Sequence, residues 1–232
     1  IYVIIGDFFL PENVKLALFD YDGTIVDSAI MIVEGAIAAF RMCGLPDPDP
    51  KKVRENIGKP LAIALDEYMP PGYKVTPEQI SEAYRSWYAE QGRLGLQNEP
   101  LYPGVIDLIK ELKTNGWLIG IATNKSRVGL NNGLAKHHLS EFFDITLSTD
   151  ENIPKPNPAM AIKAMKDLGV QNKFCVIIGD TINDIGLGVN AGITSIGVTW
   201  GYNSRELLTT AGATHLVNNA NDLGKLMKTI FA

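Results

Sequence analysis

The chain is 232 residues long, enough for one sizeable core and a smaller second unit. With 46% apolar and 20% charged residues it has the composition of an ordinary globular protein, not of a disordered or membrane-embedded one. A net charge of −5 and a pI near 5.3 argue against a nucleic-acid partner, so an anionic ligand would have to be held by a few local positive charges.

In chain order, the first segment is Ile1-Tyr2-Val3-Ile4-Ile5-Gly6-Asp7-Phe8-Phe9-Leu10-Pro11, apolar but interrupted by Asp7 and stopped by Pro11. It lacks the basic start of a signal peptide and is too short to span a bilayer, which argues against a membrane role. Residues 1–13 are expected to form an N-terminal extension, either an added edge strand or a patch packed on a neighbouring subunit. The run Leu16-Ala17-Leu18-Phe19 follows and ends in Asp20-Tyr21-Asp22-Gly23-Thr24. An uninterrupted apolar run of this kind reads as a strand buried on both faces, as in a parallel sheet. Residues i and i+2 of a strand share a side, so Asp20 and Asp22 are neighbours at its carboxyl end. Two ionised carboxylates so close ask for a divalent cation or a shared proton. Taken alone, the Asp-Gly pair would also suit a hairpin turn.

From there to Pro103 the pattern is helical and without strands. Ala29, Val33, Ala36, Ile37 and Phe40 recur at helical spacing, with Asp27 or Ser28 as N-cap and Gly44 just past the end. The stiff linker Pro46-Asp47-Pro48-Asp49-Pro50 precedes another helix. Thr76-Pro77-Glu78-Gln79 is a capping box opening a helix whose apolar face is Ile80, Tyr84, Trp87 and Tyr88. Residues 27–100 thus form a helical insertion after the first strand, and residues 1–26 and 101–232 form the main unit.

Beyond Pro103, helices and strands alternate: helix 104–115, strand 117–122, helix 126–138, strand 144–148, helix 157–168, strand 174–179, helix 182–191, strand 193–198, helix 203–211, a short strand 214–217 and a last helix. Gly116, Gly169, Gly192 and Gly212 sit where helices end. The alternation predicts an α/β fold, a Rossmann-like parallel sheet with helices on both faces. Two later strands end as the first does, one at Thr123-Asn124-Lys125 and one at Gly179-Asp180-Thr181-Ile182-Asn183-Asp184, and between them Lys155 is pinned in Ile153-Pro154-Lys155-Pro156-Asn157-Pro158. The two cysteines, Cys43 and Cys175, fall in different elements and read as reduced thiols of a cytoplasmic protein. Gly186-Leu187-Gly188-Val189-Asn190-Ala191 matches a dinucleotide fingerprint only formally, since it lies inside a helix. His137, His138 and His215 lie away from the strand-end motifs.

Asp20-Tyr21-Asp22-Gly23-Thr24, Thr123-Asn124, Lys155, and Gly179-Asp180 with Asp184 together resemble the four motifs of the haloacid dehalogenase-like superfamily, in its phosphatase branch. The resemblance runs from about Lys15 to the C-terminus. Tyr102-Pro103-Gly104-Val105, Lys155-Pro156-Asn157-Pro158 and Gly197-Val198-Thr199-Trp200-Gly201-Tyr202 are similar to the phosphoglycolate phosphatase-like subfamily.

The resemblance implies a magnesium-dependent phosphatase of a small phosphorylated metabolite, with 2-phosphoglycolate the lead candidate. Asp20 is then the nucleophile that forms an aspartyl-phosphate, ionised at neutral pH if its pKa is ordinary, and Asp22 the general acid and base, titrating as a coupled pair with it. Mg2+ would be held by the Asp20 carboxylate, the Asp22 carbonyl and Asp180, with Asp184 orienting a bound water. Thr123 and the amide of Asn124 would bind phosphate oxygens, Lys155 would supply charge, and Gly23 would give the phosphoryl group room. Residues 27–100 would act as a cap, in which Arg54 or Lys59 could engage a substrate carboxylate. An acid at position 22 argues against dehalogenation, whose halide leaves without a proton. Lys51, Lys52 and Lys59 leave a Schiff-base phosphonate hydrolase open. A phosphomutase shares the same core, and a non-enzymatic phospho-aspartate switch shares the acidic, threonine and lysine pattern but has no helical cap.

Overall fold

The computed structural model describes residues 2–5, 8–11 and 13–231, the first two stretches by backbone alone. The chain divides into two compact units, Ile1–Ile25 with Leu101–Ala232, and Val26–Pro100.

The larger unit is built on Leu16–Phe19 (β3), whose four residues are fully buried. Five parallel strands join it: Leu118–Ala122 (β4), Ile145–Leu147 (β5), Cys175–Gly179 (β6), Thr194–Val198 (β7) and His215–Val217 (β8), in the order β5-β4-β3-β6-β7-β8. Leu16 pairs with Leu118 on one side and Cys175 on the other, so β3 is central. The sheet grows outward from β3 through β4 to β5, then resumes on β3's opposite flank with β6. That reversal leaves a crevice at the carboxyl ends of β3 and β6, where open α/β sheets bind ligands.

The connecting helices are Val105–Thr114 (α5), Arg127–Lys136 (α6), Ala159–Leu168 (α7), Ile182–Ala191 (α8), Arg205–Thr210 (α9) and Ala220–Thr229 (α10). Leu16, Leu18, Cys175 and Ile177 pack with Met160, Ala161 and Ala164 of α7 and Leu187 of α8. Ala17, Phe19, Val176 and Ile178 alternate with them and are equally buried, so both faces of the sheet are covered. Gly116, Gly169, Gly192 and Gly212 all adopt the left-handed conformation just beyond helices, as helix termination requires.

The smaller unit holds Ala29–Met42 (α1), Pro50–Glu55 (α2), Leu61–Asp66 (α3) and Pro77–Arg93 (α4) around Ala36, Ala39, Phe40, Leu45, Val53, Leu65 and Ile80. Asp49 caps α2, and the Thr76–Gln79 capping box opens α4. Tyr84 and Tyr88 stack on each other.

The N-terminal segment departs from the sequence expectation of an edge strand. Tyr2–Ile5 (β1) and Phe8–Pro11 (β2) pair antiparallel with each other as a separate two-stranded sheet, and the edges of the six-stranded sheet are β5 and β8. Asp7, which interrupts the apolar run, lies outside the described residues. Among those residues, no helix is long and apolar enough to cross a membrane. Both cysteines are free thiols.

Candidate active site

Lys155 stands at the centre of the crevice. It is 2% exposed, and its ammonium donates to Asp20 Oδ1 at 2.7 Å, Asp184 Oδ1 at 2.6 Å and the Ala122 carbonyl at 2.8 Å. An ammonium group has three donors, so this set saturates it. The backbone around it is held by Asn124, whose Oδ1 accepts the Lys155 N–H at 2.9 Å and whose Nδ2 donates to the Lys155 carbonyl at 3.1 Å. The side-chain amide of Asn124 therefore fixes the lysine.

Asp184 carries two loads. Its Oδ1 faces Lys155, while its Oδ2 accepts the Thr181 N–H at 2.9 Å and the Thr181 hydroxyl at 2.7 Å, closing the first turn of α8. Asp180 is held from two other directions: Thr24 Oγ1 donates to Oδ1 at 2.9 Å and the Tyr202 N–H donates to Oδ2 at 2.8 Å. Trp200 Nε1 in turn donates to the Thr24 carbonyl at 3.2 Å. Thr24 and the Tyr202 backbone were not singled out as site residues from the sequence. Both lie within motif stretches that the resemblance quoted, the one signal that could have pointed to them.

Three glycines let these carboxylates come so close. A Cβ on Gly179 would lie 2.2 Å from Asp184 Cγ, and one on Gly23 or Gly201 would lie 2.3 Å from Asp180 atoms. At Gly23 an added Cβ would meet the Asp180 carboxylate, with the Tyr202 ring also close.

The electrostatics follow from burial. Desolvation raises the Asp20 carboxyl to about 7, Asp184 pushes the same way, and Lys155 opposes both; Asp22 adds a smaller push. Two expectations need correcting here. Asp20 does not keep an ordinary carboxylate pKa, and the acid that presses on it hardest is Asp184, with Asp22 pressing less. Asp180 is also raised well above the usual range, by burial first and then by Asp184 and Asp20. Burial alone would lower Lys155, but Asp184 and Asp20 outweigh it and hold its ammonium above the ordinary value.

Asp22 meets Lys125, whose Nζ donates to its Oδ1 at 2.9 Å and Oδ2 at 3.2 Å. Sequence reading did not assign Lys125 a role. Thr123 is buried beside them, and its hydroxyl accepts the Lys125 N–H at 3.2 Å. In the smaller unit, Lys59 donates to both carboxylate oxygens of Glu67, at 2.6 and 2.8 Å, and Arg54 is exposed on α2.

Asp20, Asp180 and Asp184 each offer a carboxylate oxygen, and these oxygens lie within 4.8 Å of one another. A buried set of hard oxygen donors with surplus negative charge fits a small divalent cation such as Mg2+. Asp184 lies in this set with both of its oxygens also bonded, Oδ1 by Lys155 and Oδ2 by Thr181.

Residues 17–198 match the family model of the haloacid dehalogenase-like hydrolases. A probable phosphatase, IndB, from Dickeya dadantii (strain 3937) is 32% identical over 211 residues, which cover 90% of this chain and 91% of that protein. A phosphoglycolate phosphatase from Vibrio vulnificus (strain CMCP6) is 30% identical over 204 residues, 84% of this chain and 88% of its own. The crystal structure of a predicted phosphatase from Clostridium acetobutylicum shares the fold with a TM-score of 0.80 at 28% identity, covering 93% of this chain and 98% of that one. A fold with its crevice at the β3/β6 reversal and a family match spanning most of the chain agree: the protein belongs to the haloacid dehalogenase-like hydrolases.

Proposed function

We propose that this phosphatase hydrolyses a small phosphorylated metabolite, 2-phosphoglycolate foremost, through an aspartyl-phosphate on Asp20 and with Mg2+. The observation that carries the reading is the buried Asp20–Lys155–Asp184 chain beside Asp180, which supports Asp20 as nucleophile, Lys155 as its counter-charge and the three acids as a place for a cation. In the first half-reaction an Asp20 oxygen attacks phosphorus, the bond to the leaving oxygen breaks, and Asp22 delivers a proton to that oxygen. In the second, water attacks the same phosphorus, its proton passes to Asp22, and the bond to Asp20 breaks, releasing phosphate. Lys155 favours the ionised form of Asp20 and holds it in line, and Thr123 donates its hydroxyl to a phosphoryl oxygen. Mg2+, held by Asp20, Asp180 and the Asp22 carbonyl with Asp184 beside them, would neutralise charge on the equatorial oxygens.

Selection of the leaving group falls to residues 27–100 acting as a cap. There Arg54 and Lys59 are the residues assigned to a substrate carboxylate, and Lys59 would exchange Glu67 for it.

The test is turnover of 2-phosphoglycolate and of 4-nitrophenyl phosphate by the purified chain, with and without Mg2+, beside Asp20→Asn. Magnesium-dependent turnover that Asp20→Asn lowers by at least about a thousandfold supports the reading. A single phosphorylation of Asp20 without further release of phosphate would favour a phospho-switch, and activity indifferent to chelation would remove the metal.

A further inference from the structure

Asp22 is not bonded by Lys155, and its ionic partner, Lys125, lies 103 residues away in sequence. The Lys125 ammonium reaches both of its carboxylate oxygens, and the two side chains are only 10% and 14% exposed. An ion pair on an open surface would be loosely held and worth little. This one is built in. The ammonium lies over the Tyr21 ring, 5.7 Å from its centroid, and the backbone N–H of Lys125 is held by Thr123 Oγ1. Gly129 passes so near the lysine stem that an added Cβ there would lie 3.2 Å from Cε and 3.3 Å from Cγ. The stem, the charge and the peptide are all positioned, and what they position in turn is a short side chain with two freely rotating bonds.

We propose that Lys125 is a positioning residue of the reaction: its contact with both oxygens fixes the Asp22 carboxyl in the orientation from which it serves the leaving-group oxygen. The proposal rests on the reading of Asp22 given above. It differs from a phosphate-binding role, which would act on every phosphate ester alike. A group that acts through Asp22 matters in proportion to the leaving oxygen's need for a proton.

The difference is readable in two esters of similar shape. 4-Nitrophenolate leaves without help, whereas the phenolate of phenyl phosphate is far more basic and calls on the acid. Phosphoryl transfer to Asp20 is reported by kcat/KM for each ester, measured with Mg2+ on the wild-type chain, Lys125→Met, Lys125→Arg and Asp22→Asn. General acid catalysis supplies about a hundredfold or more, so Lys125→Met should lose at least about tenfold more kcat/KM on phenyl phosphate than on 4-nitrophenyl phosphate. Lys125→Arg, which keeps a two-pronged cation, should restore most of that difference, and Lys125→Met placed in Asp22→Asn should cost little more than Asp22→Asn alone. If Lys125→Met fails to fold, as judged by thermal denaturation, Lys125→Gln carries the same comparison.

Equal losses on the two esters, a rise in KM alone, or no loss overturns the proposal, and so does an undiminished cost in the Asp22→Asn background. A wild-type chain that hydrolyses neither ester, or an Asp20→Asn variant that hydrolyses both, would instead remove the function on which the proposal rests.

Discussion

Asn124 grips Lys155 by its own peptide groups, accepting the lysine's N–H at 2.9 Å and donating to its carbonyl at 3.1 Å across a sequence separation of 31 residues. All four atoms belong to buried residues, so neither bond has water standing ready to replace it. The pair ties the carboxyl end of β4 to the loop before α7, and the ammonium at the far end of Lys155 is aimed by this clamp.

Removing the clamp is expected to cost both stability and rate. Asn124→Ala leaves a buried N–H and a buried carbonyl unpaired, a loss of about 2 kcal/mol measurable by urea denaturation. The activity should fall by at least about tenfold, because a misaimed counter-charge loses transition-state stabilisation steeply. Asn124→Asp can accept from the Lys155 N–H but cannot donate, and should recover only part of the stability.

Lys155→Met should be inactive on any ester, and its stability should depend on pH in a defined direction. Breaking a buried ion pair by removing one partner costs about 3 kcal/mol or more, because the remaining charge is stranded. Here two carboxylates, Asp20 and Asp184, are stranded together. Protonation of Asp20, whose carboxyl is already pushed up to about 7, relieves the pair, so the deficit relative to wild type should be larger at pH 8 than at pH 6. A deficit that does not change with pH would mean that the carboxylates find other partners.

Asp20 itself makes the metal-free protein sensitive to pH. Its folded value, about 7, lies above its ordinary value of 3.8, so between these limits the folded state holds a proton that the unfolded chain has released. Stability attributable to this group is therefore present below about pH 4 and declines as pH rises towards 7. Asp20→Asn cannot ionise, and its stability relative to wild type should climb across that window and level off above it. The gain should reach the order of a few kcal/mol in the presence of chelator. Saturating Mg2+ should erase the difference or reverse it, since a ligand bound only by the folded state stabilises that state. Thermal melts at four pH values suffice to check the sign.

Gly201→Ala tests the tightness of the acidic cluster without touching an ionisable group. The new Cβ would fall 2.3 Å from Asp180 Cβ and Oδ2, and Asp180 cannot swing aside without releasing Thr24 and the Tyr202 N–H. The expected result is a rate loss of at least about tenfold, as small displacements within a preorganised site are costly. The stabilisation of the fold by added Mg2+ should shrink in parallel. A fully active Gly201→Ala would show that the loop carrying Trp200 and Tyr202 can move away freely.

Much of this architecture is legible in the amino-acid order because its parts are locally encoded. Strands buried on both faces must be apolar throughout, which marked β3, β4 and β6, and helices that stop at a left-handed residue ask for glycine, which marked positions 116, 169, 192 and 212. The acids and the lysine at the strand ends were visible for the same reason. Their division of labour was not. Nothing in Thr123-Asn124-Lys125 announces that the asparagine side chain turns to Lys155 while the lysine turns to Asp22, since both choices depend on how the loops cross at the sheet edge. The raised Asp20 pKa was hidden too, because desolvation is a property of the closed core. The N-terminal hairpin escaped for the opposite reason: two apolar strands of four residues fit a sheet edge as well as they fit each other.

The central place of β3 has a consequence for how the molecule comes into being. Leu16–Phe19 precedes both of its neighbours in the chain, Leu118–Ile121 by about 100 positions and Cys175–Ile178 by about 160. Until those are made, four wholly apolar residues have no hydrogen-bonding partner strand, while residues 26–100, whose core is its own, can collapse at once. Pairing across such distances is slow, because a large loop must close before any contact rewards it. The strand that ends at Asp20 is thus made before both of its partners and is among the last segments to be secured, which leaves its apolar surface open to misassociation in the meantime.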